Sequence, residues 1–251
     1  MSPAVPDRLP LRLVERAWLT PGVLHLTFEH AQGNALPFRA GQFIQVFFDD
    51  GDGREVRRSY SIANAPEGEA SGTRWELAVA LVPGGAASGR FQALAPGQVV
   101  SAAGPFGRFG LQPGDVPARH LLVATGTGVA PYRAMLPELE RRIGQHDARV
   151  TLILGARTRE DLPWHEEWLA LARRLPGQDY IACLSRQAPP QDDPHLLAGH
   201  VQHALRRVSP GPHDLALLCG HPAMVDDCFA LLREAGLAPA LIRRERYVSS
   251  G

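Results

Sequence analysis

A change of rhythm near residue 120 constrains this chain more than any other feature of its sequence. Before it, six short runs rich in β-branched and aromatic residues are separated by turn residues: Leu11–Trp18, Val23–His30, Gln42–Phe48, Glu55–Ala63, Trp75–Val82 and Gln98–Ala102. Six strands with little helix predict a small antiparallel β-barrel. After it, short apolar runs alternate with segments of helical spacing. Leu121–Ala124 precedes Tyr132, Met135, Leu136, Leu139 and Ile143, and Val150–Leu154 precedes Trp168, Leu171, Ala172 and Leu175. Tyr180–Leu184 then precedes Val201, Leu205 and Val208, and Leu215–Cys219 precedes Val225, Cys228, Phe229 and Leu232. Four strand–helix units in series predict a doubly wound parallel sheet covered by helices on both faces. Pro113, Gly114 and Pro117 interrupt both rhythms, so the boundary is expected there, with domains at 1–112 and 113–251.

Composition narrows the chemistry. Twenty-six basic residues balance twenty-six acidic ones, so no net field favours nucleic acid or an anionic membrane. Every basic residue is Arg, which removes lysine Schiff-base chemistry. Cys183, Cys219 and Cys228 are odd in number and form no C-x-x-C pair, so four cysteines for an iron–sulfur cluster are not available. Reduced thiols, no apolar signal core and no run of about 18 apolar residues lead to the expectation of a cytoplasmic protein with no membrane span. Nothing in the sequence demands more than a monomer.

Three segments carry chemistry. Thr125-Gly126-Thr127-Gly128-Val129-Ala130-Pro131 lies between a predicted strand and a predicted helix, where glycines admit close backbone approach and free N–H groups favour an anion. By itself, such a turn serves any tight strand-to-helix connection. In Arg58-Ser59-Tyr60-Ser61, alternation points Arg58 and Tyr60 one way and Ser59 and Ser61 the other. An Arg for a phosphate, a flat Tyr and a short Ser donor are the parts that hold a flavin nucleotide, although a polar barrel strand has the same look. Gly84-Gly85-Ala86-Ala87-Ser88 precedes Phe91 and Leu94 at helical spacing, with Ser88 read as the N-cap and the glycines open to a pyrophosphate.

In this order, the three segments resemble those of the bacterial ferredoxin–NADP reductase family, and the resemblance covers nearly the whole chain. Leu36-Pro37-Phe38-Arg39-Ala40-Gly41-Gln42-Phe43 looks like the family's entry into the barrel, and Arg58–Ser61 is similar to its R-x-Y-S. Thr125–Pro131 is similar to its T-G-T-x-x-x-P, and Cys219-Gly220-His221-Pro222 through Asp226 to its C-G-x-P-x-M-V-x-D. The resemblance implies FAD held by an N-terminal barrel at Arg58, Ser59, Tyr60, Ser61, Gly85, Ala86, Ala87, Ser88, Thr125 and Tyr247. It implies NADP(H) held by a C-terminal α/β domain at Gly126, Thr127, Gly128, Pro131, Ala156, Arg157, Ser185, Arg186, His200, Cys219 and Gly220. Tyr60 and Tyr247 would sandwich the flavin ring, and Ser61, Cys219, Glu245 and Tyr247 would surround the hydride-transfer site. The implied reaction moves hydride between NADPH and flavin N5, then single electrons to a ferredoxin or flavodoxin.

Cofactor choice turns on Ser185-Arg186, at a predicted strand end that faces the adenosine ribose in a doubly wound sheet. Arg there suits a 2′-phosphate, and Arg157 is a similar helper. Where the family often has Arg after the next glycine, this chain has His200. The spacing of His200 and His203 offers two ligands and no third, so no metal is expected. Cys219 beside His221 sits on adjacent turn positions unsuited to a nucleophilic couple. Cys183 and Cys228 read as core thiols, and Trp164 and Trp168 as packing residues. The family's acceptors are acidic, which makes Arg54, Arg57, Arg90, Arg243, Arg244 and Arg246 the expected docking patch. The alternatives are a free-flavin reductase, the reductase component of an oxygenase, and a non-catalytic module that keeps the two-domain shell.

Overall fold

The computed structural model describes residues 7–49, 53–66, 72–146, 148–190 and 192–247. Val248–Gly251 lie outside them. Contacts divide the chain into two units, one running through Arg108 and including Ala130–Ala134, the other comprising Phe109–Val129 and Met135 onward.

The first unit is the expected barrel. Its strands are β1 (Leu9–Thr20), β2 (Val23–His30), β3 (Phe43–Asp49), β4 (Glu55–Ser61), β5 (Arg74–Ala80) and, after helix α1 (Ala86–Ala93), β6 (Val99–Phe106). All pair antiparallel in the order β4-β3-β6-β1-β2-β5. The two ends meet where Ile62, just past β4, bridges Leu77 of β5. Alternation drives this arrangement: Leu11 and Leu13 of β1 are fully buried while Arg12 between them reaches Glu29 at the surface. They join Leu24, Leu26, Phe28, Ile44, Val46, Trp75, Leu77 and Phe91 in one core. Trp75 buries its ring without cost to its N–H, which donates to the Leu36 carbonyl at 3.1 Å.

The second unit is the expected parallel sheet. It contains β7 (Arg119–Thr125), a 3-10 turn at Gly126–Val129, α3 (Leu136–His146) and β8 (Arg149–Ala156), while the short α2 (Ala130–Ala134) belongs to the first unit. It continues with α4 (His165–Arg174), β9 (Gln178–Leu184), β10 (Leu196–Ala198), α5 (Val201–Arg207), β11 (Asp214–Gly220), α6 (Pro222–Glu234) and β12 (Ile242–Arg246). The strand order is β10-β9-β8-β7-β11-β12, every neighbour parallel. Near-continuous apolar runs such as Leu121–Ala124 and Leu215–Cys219 are buried throughout, as strands covered on both faces must be. The chain walks outward from β7 to β10, then returns to lay β11 on the other side of β7. That reversal places the sheet's switch point at the carboxyl ends of β7 and β11, where open α/β sheets bind ligands.

Candidate cofactor-binding site

In the first unit, β4 and α1 are joined through aromatic packing. Tyr60 meets Phe91 in a T-shaped contact, centroids 5.3 Å apart at 84°, and Phe48 meets the same ring at 6.2 Å. Arg58 and Tyr60 share the half-buried face of β4, while Ser59 is exposed and Ser61 is buried at the strand's end. Burial pushes the Tyr60 hydroxyl pKa up, with the neighbouring Arg58 charge opposing, so the phenol stays neutral.

Ser88 departs from its expected role. Gly85 occupies the N-cap of α1, and Ser88 lies within the first turn, 8% exposed. Its hydroxyl turns back to accept the Val82 N–H at 2.8 Å, while the Gly85 N–H donates to the Val82 carbonyl at 3.0 Å. Ser88 therefore shapes the glycine turn instead of ending the helix. Gly84 has φ +73° and open space around it, so the backbone there is bare toward solvent. A bare glycine turn, a guanidinium and a flat aromatic are the groups that a dinucleotide's phosphates and ring require.

In the second unit, the T-G-T-G turn and the C-G-H turn interlock. A Cβ on Gly128 would collide with the Cys219 carbonyl and lie 2.9 Å from Gly220 Cα. Gly220, at φ +131°, leaves no room for a side chain against the Thr125 hydroxyl. That hydroxyl accepts the His221 N–H at 3.0 Å, so Thr125, expected on the flavin side, orders the neighbouring turn. Gly126 faces open space, and Pro131 is buried in α2.

The next strand ends line up with these. Gly155, Ala156 and Arg157 close β8, and Val201 of α5 packs so tightly on Gly155 that a Cβ would sit 2.8 Å from it. The Ser185 N–H and hydroxyl both reach the Ala156 carbonyl, at 3.0 and 3.2 Å, and the Arg186 N–H donates to the Arg157 carbonyl at 2.8 Å. The backbones of Arg157 and Arg186 are thus joined, both side chains are exposed, and neither has an ion-pair partner among the described residues. His200, at the N-cap of α5, follows the same edge, its ring 6.5 Å from that of His203.

Cys219 is fully buried, and burial reinforced by the Glu245 carboxylate drives its thiol pKa well up, against a hydrogen bond from Tyr247. A neutral, enclosed thiol is no nucleophile. Glu245 belongs to β12 and Tyr247 directly follows it; Cys219 pairs with Glu245, and the Tyr247 N–H donates to the Gly220 carbonyl at 2.8 Å.

Two arginine sites escaped the sequence reading. Arg133 of α2 donates to Glu76 at 2.7 Å and to the Ala63 carbonyl at 3.2 Å, and His25 meets the same carboxylate at 3.0 Å. The available signal was a lone charge in the otherwise buried segment Ala130–Ala134. Arg243, expected on a docking surface, is instead locked to Asp115 at 2.5 and 2.6 Å and only 17% exposed. The expected patch therefore loses Arg243. Of the others, Arg246 pairs with Asp226, Arg244 covers the Phe229 ring at 3.9 Å, and Arg90 donates to the Asp49 carbonyl at 3.2 Å.

Comparison with known proteins agrees with both halves. Residues 10–110 match the oxidoreductase FAD-binding domain family and residues 122–229 the oxidoreductase NAD-binding domain family. The chain is 39% identical to ferredoxin–NADP reductase B of Sorangium cellulosum, over 94% of this chain and 96% of that one. It is 34% identical to the reductase component 2 of terephthalate 1,2-dioxygenase from Comamonas, over 94% of this chain and 67% of that one. A ferredoxin NADP+ reductase from Neisseria gonorrhoeae, solved with bound FAD and NADP, shares the fold with a TM-score of 0.80 at 22% identity, covering 96% and 99% of the two chains. The chain is an oxidoreductase with an FAD-binding and an NAD(P)-binding domain, and it belongs to the ferredoxin–NADP reductase family.

Proposed function

We propose that this chain is a ferredoxin–NADP(+) reductase that moves electrons between NADPH and a ferredoxin or flavodoxin. The observation that carries the NADPH side is the Arg157–Arg186 pair. Two exposed guanidiniums, held in step by a backbone hydrogen bond at adjacent parallel strand ends, suit a doubly charged 2′-phosphate and have no use for a neutral ribose hydroxyl. The 39% identity to a ferredoxin–NADP reductase over nearly both chains supports the carrier.

Bound FAD would supply the exchange between two-electron and one-electron transfer. The protein's part is placement. Arg58 and the Gly85–Ser88 turn would hold phosphates, and Tyr60, braced by Phe91, would hold the ring. Ser61, Cys219, Glu245 and Tyr247 would border the nicotinamide, with the Cys219 thiol neutral and Glu245 the nearby charge. Arg54, Arg57 and Arg90 in the first unit, and Arg244 and Arg246 in the second, remain candidates for meeting an acidic carrier.

An anaerobic titration tests this. NADPH should bleach the flavin spectrum, and ferredoxin or flavodoxin should restore it more efficiently than free FMN, with docking that weakens as salt is added. A second reading, the reductase component of an oxygenase, is favoured by the 34% identity to the terephthalate dioxygenase reductase component. Under that reading an oxygenase component would be the preferred acceptor. Loss of the carrier step with intact NADPH bleaching would overturn the first reading.

A further inference from the structure

Strand β12 is short and mostly charged. Among the described residues it lies at the edge of the sheet and pairs with β11 alone. Its sequence, Ile242-Arg243-Arg244-Glu245-Arg246, carries one apolar anchor, Ile242, and puts an arginine on both faces, so a slip by one residue would exchange like for like at Arg243 and Arg244 while lifting Ile242 from the core and turning Glu245 and Tyr247 to the opposite face. Ile242 is a single apolar anchor, and the rest of the register depends on what the arginines meet.

The choice falls on Arg243. Its two terminal nitrogens grip both oxygens of Asp115 at 2.5 and 2.6 Å, and one also donates to the Gly110 carbonyl at 2.6 Å. Both side chains are largely buried, 17% and 11% exposed. Asp115 is itself fixed: its carboxylate accepts the Gln112 N–H at 2.6 Å, and Arg142, 4% exposed, donates to the Asp115 and Gln112 carbonyls at 2.9 and 2.7 Å. The other face of β12 is anchored by Ile242, which is buried in the core, and more weakly by the exposed Arg246–Asp226 pair and Arg244 against Phe229. Arg243, Glu245 and Tyr247 lie two residues apart, so they share one face, and fixing the first fixes the others.

We infer that Asp115 is a positioning residue for Glu245 and Tyr247, acting through Arg243 to pin the register of β12 on β11. The inference takes from the proposed function only what Glu245 and Tyr247 do once placed.

Amide hydrogen exchange on the FAD-loaded protein reads the register directly. In Asp115→Asn, amides from Ile242 to Tyr247 should exchange at least tenfold faster while those of β8 and β9 keep the parent rate. KM for NADPH and Kd for NADP+ should rise at least fivefold, with a smaller change in kcat. Asp115→Glu should recover most of both effects. Should Asp115→Asn fail to fold, Arg243→Lys carries the same test, because it keeps the charge and loses the two-pronged grip. Unchanged exchange in β12, or equal acceleration throughout the second sheet, would overturn the inference. Faster exchange confined to β12 with unaltered nucleotide parameters would uphold the pin and overturn the assignment of Glu245 and Tyr247 to the nicotinamide site.

Discussion

The ring of Tyr60 stands perpendicular to that of Phe91, 5.3 Å between centroids, so the strand bearing R-x-Y-S and the helix behind the Gly84-Gly85 turn are packed as one piece. Phe91 is 2% exposed and lies in the barrel core. Phe91→Ala should cost about 3–5 kcal/mol of stability through the cavity it leaves. It should also release FAD more readily than an equally destabilising change elsewhere in the barrel. Denaturant unfolding and flavin content after gel filtration check the two parts.

Gly128 has no room for a methyl group, because the Cys219 carbonyl occupies that space. Gly128→Ala should therefore separate the two turns at the carboxyl ends of β7 and β11, at a cost of about 1–3 kcal/mol. NADP+ affinity, measured by calorimetry, should fall while FAD content stays at the parent level. Parent affinity in the variant would show that the interlock does not matter for the nucleotide.

Arg186→Glu replaces one of the two exposed guanidiniums with a charge that repels phosphate. KM for NADPH should rise about tenfold or more, as expected for the loss of a charge-assisted pair, with little change for NADH. Steady-state kinetics with both nucleotides decides. Equal effects on the two would remove Arg186 as the discriminator.

His120 is fully buried, and burial, with the Arg142 charge behind it, pulls its pKa from 6.5 down to about 4. The unfolded chain therefore takes up this proton at a higher pH than the folded one. Stability should fall as pH drops from about 6.5 toward about 4, by up to about 3 kcal/mol, and this contribution should be level below that. His165, also shifted down by burial, adds a slope of the same sign. Urea unfolding at pH 7 and pH 5 should show the loss, and His120→Gln should remove the larger part of it.

The barrel strands and the four principal parallel strands were legible because their periods are strong and local. Leu196–Ala198 was not, since three residues cannot display a period. Nor was Ile242–Arg246, because an edge strand of this kind carries charge on both faces, and only pairing with β11 reveals it. The site segments were visible as motifs, yet their neighbours were not. Ser88 has a capping residue's chemistry, and its hydroxyl is drawn instead to the Val82 N–H six residues back. Arg243 looked like a free surface charge because its partner Asp115 lies 128 residues away, beyond the reach of any pattern argument.

The placement of β11 bears on how the protein is made. All six barrel strands have been translated by Phe106, whereas β11, flanked in the finished sheet by β7 and β12, is translated only from Asp214 onward. The ribosome thus delivers a first half whose barrel strands are all present well before the second half can close. In between, the apolar flank of β7 waits uncovered for roughly 90 residues, several seconds at ordinary elongation speeds, and that interval is when this chain is most exposed to aggregation.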